Sequence, residues 1–129
     1  MIQIFLLTAL VAILDSLFLF FTQKYAGFLY SSVLPQESFM NIMYIFACWF
    51  CIAMAIYFLI VSSSDFSFLN ILKRAPILGL AIYGVYSLSN YTLNPEKWSL
   101  AFVGIDIVRG ILIVMISTLI FSLFRKMFK

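Results

Sequence analysis

Four apolar runs, each long enough to cross a bilayer and joined by short connections, constrain this chain more than any other feature. They cover approximately residues 2–22, 41–61, 76–93 and 100–124. A hydrocarbon core of about 30 Å takes about 20 helical residues to cross. Backbone polar groups in lipid must pair within their own segment, so each run reads as a helix. The expected fold is all-α: a polytopic membrane protein forming one four-transmembrane-helix bundle over residues 1–129. The first run lacks a basic leading region and a small-residue cleavage site, so it reads as a retained span rather than a secretory signal.

Composition closes off the soluble alternatives. Apolar residues make up 65% of the chain and charged residues only 10%, whereas soluble domains carry about 25% charge. There is no histidine, which excludes His-based catalysis and His metal ligation. No nucleophile–base pair stands out, no cofactor motif occurs and no metal set is expected. An intramembrane enzyme is a weak reading, kept open only by two acids at one depth. The basic residues form no solvated face, so nucleic acid is not an expected partner.

The basic residues orient the bundle. Lys73, Arg74, Arg125, Lys126 and Lys129 lie in the 62–75 connection and the tail, against Lys24 and Lys97 in the other two connections. Positive residues favour the inner side, which predicts both termini on the cytoplasmic side. Loops 23–40 and 94–99 then lie outside, with Tyr25, Tyr30, Tyr44, Tyr91 and Trp98 near the outer interface. Pro76 fits the first turn of the third helix, where its missing N–H costs nothing.

Three ionisable residues fall inside the spans: Asp15, Asp106 and Arg109. Charge at mid-membrane costs roughly 2.5–3.5 kcal/mol per residue on insertion scales, so such groups face the bundle interior. With alternating helices and a rise of about 1.5 Å per residue, Asp15 lies roughly 10 Å below the outer surface. Asp106 lies roughly 9 Å deep, Arg109 roughly 13 Å and Ser87 roughly 9 Å by the same rise. Tyr83, Ser87 and Asn90 share a face of the third helix. An outer-half pocket is therefore expected, made by Asp15, Tyr83, Ser87, Asn90, Asp106 and Arg109. Two carboxylates beside one guanidinium leave a negative charge uncompensated, which a proton, an ion or a small polar solute could use. The competing expectation is an ion pair that only fixes helix packing in a structural or accessory subunit of a larger membrane or virion assembly.

Small residues suggest where helices close. Ala47, Cys51 and Ala55 recur at four-residue spacing in the second helix, as do Ala75 and Gly79 in the third. Gly110 follows Asp106 at the same spacing in the fourth. Such stripes let backbones approach. Cys48-Trp49-Phe50-Cys51 is a C-x-x-C inside a membrane helix and reads as packing, not redox chemistry. The expected partners are the lipid bilayer and further membrane subunits, whether a homo-oligomer or a larger complex.

The polar positions also carry a resemblance. Asp15 is followed by Phe18 and Leu19; Tyr86-Ser87-Leu88-Ser89-Asn90 is followed by Thr92-Leu93 and Trp98; Asp106 is followed by Arg109 and Gly110. In order and spacing these resemble the uncharacterised membrane-protein family catalogued as domain of unknown function 2177, found in bacteria and in some large DNA viruses. The resemblance covers about residues 10 to 115 and implies a four-helix fold and no particular activity. Ser87 stands where the family pattern has Asp, and Arg109 where it has Trp. Losing an acid and gaining a base shifts the local charge by about two units toward positive.

Overall fold

The computed structural model describes residues 2–30 and 39–127, and all of its regular elements are helices. Helix α1 spans Ile2–Tyr30, α2 begins at Phe39, α3 spans Phe68–Leu93 and α4 spans Leu100–Met127. α2 is α-helical to Ile56 and ends in a π-helical turn, Tyr57–Val61, closed by the Ser62 N–H on the Tyr57 carbonyl at 2.8 Å. All four helices are long and apolar enough to span a membrane. The chain is a multi-pass integral membrane protein.

Two boundaries differ from expectation. α1 continues to Tyr30, so residues 23–30 extend the helix beyond its apolar span rather than opening the loop. α3 begins at Phe68, eight residues before Pro76. Ser67 explains the earlier start: its backbone is extended and its side chain accepts from the Asn70 N–H at 3.3 Å, the geometry of an N-cap. Pro76 therefore sits inside α3. Its ring nitrogen cannot donate to the carbonyl one turn back, a loss that neighbouring helices can accommodate in a membrane protein. Of the aromatic side chains expected at the outer interface, Tyr25 and Tyr30 lie outside the described side chains, as do Lys126 and Lys129 in the tail.

α4 is the centre of the packing. It lies against α3 along most of its length and against α1, while α2 packs chiefly on α1. The buried core runs through Leu7, Val11, Ile56, Ile71, Ile113 and Val114. The outside is apolar too: Ile2, Ile77 and Val85 are among many large side chains left exposed. In water such a surface would aggregate, whereas in lipid it is the solvated face.

At one end of the bundle, two arginines tie α2 to its neighbours. Arg74 of α3 donates to the Leu59 carbonyl and Arg125 of α4 to the Val61 carbonyl, each at 3.3 Å. The last carbonyls of a helix have no partner within it, and cations suit its negative end. Arg125 also stacks over the Phe66 ring, 5.3 Å from its centroid.

The small-residue stripes divide. Gly79 of α3 meets the backbone of α4, so that a Cβ there would lie 2.7 Å from the Ile111 Cα. Gly110 of α4 receives the Tyr83 ring, and Ala75 is fully buried. Ala47 and Cys51, by contrast, are exposed and Ala55 is half-buried. The face of α2 that packs is Ile52, Ala53 and Ile56. Spacing identifies a stripe of small residues; burial depends on which side of the helix meets a neighbour, and here bulkier side chains occupy that side.

Candidate functional site

The charged residues of the spans meet where α1, α3 and α4 come together. On α4, Asp106 and Arg109 are one turn apart, which puts them on one face. The Arg109 Nη2 lies 2.7 Å from the Asp106 Oδ1, and its Nε lies 3.7 Å from the Asp15 Oδ1 on α1. The second Asp106 oxygen accepts from the Ser87 hydroxyl of α3. Tyr83, one turn earlier on α3, turns its ring toward Arg109, whose Cζ is 5.8 Å from the ring centroid. Five of the six residues expected in the pocket are thus brought together.

Asn90 is not among them. Its amide donates to the Tyr86 carbonyl of its own helix at 2.9 Å, which satisfies the side chain locally. Thr8 and Thr22, on the same face as Asp15, also turn back onto their own helix, to the Ile4 and Phe18 carbonyls.

The contribution that sequence reasoning missed comes from α2. The Trp49 indole N–H donates to the Asp15 Oδ2 at 2.9 Å. A signal was present: an indole N–H is a donor only and seeks a partner when half-buried in an apolar setting. With Trp49 included, all four helices contribute to one polar network.

The two acids stand in different surroundings. Asp106 is almost wholly buried, and its oxygens meet Arg109 and Ser87. Asp15 has the longer ion pair, by 1.0 Å (3.7 against 2.7 Å), with the Trp49 N–H on its other oxygen, and both acids border an open space. That space is a half-open cleft of about 600 Å³. It exists because α2 leans on α1 and makes little contact with α3 or α4. Asp15, Asp106 and Arg109 line it at one place, while most of its wall is aromatic and aliphatic.

Trp98 forms part of the cleft wall. It is expected near the outer interface, and within the bundle it is buried, at 7% exposure. Its ring meets Phe102 at 4.7 Å and Tyr86 at 5.8 Å between centroids, both edge-on. The turn at 94–98 folds it inward: the Lys97 and Trp98 N–H groups both bond the Asn94 carbonyl at 3.1 Å. Both cysteines, Cys48 and Cys51, are unpaired thiols and line the cleft from α2. Among the described residues there is no group of three side chains suited to a metal ion.

Comparison with known proteins agrees with this architecture. The family described as "Predicted membrane protein (DUF2177)" matches residues 1–123. No curated protein and no solved structure matches the chain.

Proposed function

The chain belongs to the DUF2177 family of membrane proteins, and on that premise we propose that its intramembrane cleft is a binding site for a small solute, proton or ion. The supporting observation is the contact between buried charge and open space. Drug-sized ligand sites are concave, mostly apolar and carry a few convergent polar groups, as this cleft does. Intramembrane ionisable residues usually mark such sites. In this reading Asp15 is the working carboxylate, Arg109 the fixed charge, and Asp106 with Ser87 the support that holds Arg109. Tyr83 and Trp49 orient the pair. With both termini cytoplasmic, the cleft lies in the outer half of the membrane.

The thiols provide the test. A lipid-facing cysteine does not react with a charged maleimide, because the reactive thiolate needs water. Labelling of Cys48 or Cys51 in intact cells by a membrane-impermeant maleimide is the expected result. Complete protection in native membranes, with reaction only after denaturation, would overturn a solvent-filled cleft. Conduction is read separately: in proteoliposomes a proton leak, if carried by this site, is reduced by Asp15→Asn.

The second reading is a structural or accessory subunit. The saturation of Asp106 favours it, since a fully paired acid fixes the register of α3 against α4 without needing a ligand. Purification in mild detergent separates the two readings, because a partner protein recovered at fixed ratio points to the assembly.

A further inference from the structure

The cleft also has a charge and a wall chemistry, and together they select a class of ligand. We infer that it accepts organic cations bearing apolar substituents, such as substituted ammonium or phosphonium ions; this rests on the binding reading above and names its ligand. Charge sign comes first. Asp15 and Asp106 carry two formal negative charges against one on Arg109, and all three lie at the cleft. An anion entering would face Asp15 and Asp106 with the one nearby guanidinium already engaged by both. In a medium of low dielectric such repulsion is weakly screened. A cation completes the neutralisation that Arg109 leaves half done.

The walls exclude a bare metal ion or a strongly hydrated one. Hard cations take six or more oxygen ligands, and the cleft sets its two carboxylates in a wall that is mostly aromatic and aliphatic. Trp49, Tyr83, Tyr86, Trp98 and Phe102 all contribute to the wall. Ring faces carry partial negative charge and attract organic cations, indole most strongly. The volume of about 600 Å³ suits a drug-sized molecule rather than an ion. Apolar substituents would replace lipid or poorly held water against Leu19, Ile45 and Ile82.

The chain carries its own reporter, because it has two tryptophans and both line the cleft. The experiment is tryptophan fluorescence of the full chain in nanodiscs, titrated with tetraphenylphosphonium and, in parallel, with tetraphenylborate, its anion of similar size and shape. Saturable quenching by the phosphonium is expected, with binding weakened by about tenfold or more in Asp15→Asn and largely kept in Asp15→Glu. Trp98→Phe assigns the signal to Trp49. The Asp15→Glu variant also separates loss of charge from loss of fold. Equal or tighter binding of the borate, or unchanged phosphonium binding in Asp15→Asn, overturns the inference. So does absence of binding by either ion when Cys48 still reacts with the charged maleimide, and in that case the cleft itself stands. Absence of both binding and labelling removes the cleft reading together with its ligand.

Discussion

α4 meets its neighbours in two ways. Against α3 the backbones nearly touch: Gly79 leaves no room for a methyl group over Ile111, and Gly110 seats the Tyr83 ring. Toward α2 there is a cleft of about 600 Å³, walled by rings and edged with charge. In lipid, burial of apolar area does not drive helices together, because tails are as apolar as leucine. Close approach then depends on small side chains and on polar groups that find partners. The α3–α4 seam has both, in Gly79, Gly110 and the Ser87–Asp106 bond. On the α2 side the small residues Ala47 and Cys51 are exposed, Cys51 along the cleft, and bulky Trp49 reaches across to Asp15.

This contrast can be broken or sharpened by substitution, with stability read by unfolding in detergent or bicelles. The largest effect is expected at Arg109, which serves both regions. Arg109→Met strands two carboxylates and is expected to destabilise by about 3–5 kcal/mol; adding Asp106→Asn should recover part of the loss. A silent Arg109→Met would mean that the ion cluster holds nothing together. Next comes the seam. Gly79→Ala places its methyl on backbone, not on a side chain that can move, and is expected to cost about 1–3 kcal/mol. If it is tolerated freely, the close approach of α3 and α4 is not maintained in the membrane.

A smaller effect is expected on the cleft side. Trp49→Phe removes a donor to a carboxylate and is expected to cost about 1.5 kcal/mol, with α2 less firmly held beside Asp15. The matching readout is faster maleimide reaction at Cys48, and an unchanged rate would detach Trp49 from the positioning of α2. The smallest change has the opposite sign. Gly104 on α4 belongs to neither region, and nothing lies within 4 Å of a Cβ built there. Gly104→Ala is expected to stabilise by about 0.5–1 kcal/mol, the ordinary preference of a helix interior for alanine. A loss at that position would reveal a helix or partner packed on that face.

Much of the site was legible because depth is nearly a one-dimensional quantity. Residue count times rise places Asp15, Ser87, Asp106 and Arg109 at one level as soon as the helices alternate. Rotation about each helix axis is less legible. Asn90 shares a stripe with Ser87 yet bonds its own backbone. Ala47, Cys51 and Ala55 form a stripe that stays out of the packed core, with Cys51 on the cleft wall and Ala55 half-buried. Trp98 has the chemistry of an interfacial anchor, and after the turn on the Asn94 carbonyl it is buried in the cleft wall.

The amino-acid sequence by itself determined that this protein is four membrane-crossing helices with charge concentrated at one level, because lipid leaves an apolar chain no other way to satisfy its backbone. Only the tertiary structure decided that α3 and α4 close while α2 stands off, that Trp49 is the fourth contributor to the network, and that Asp106 holds Arg109 more closely than Asp15 does. Those outcomes depend on which faces meet, and that is settled by side-chain volume and hydrogen-bond geometry between helices rather than by the pattern along any one of them.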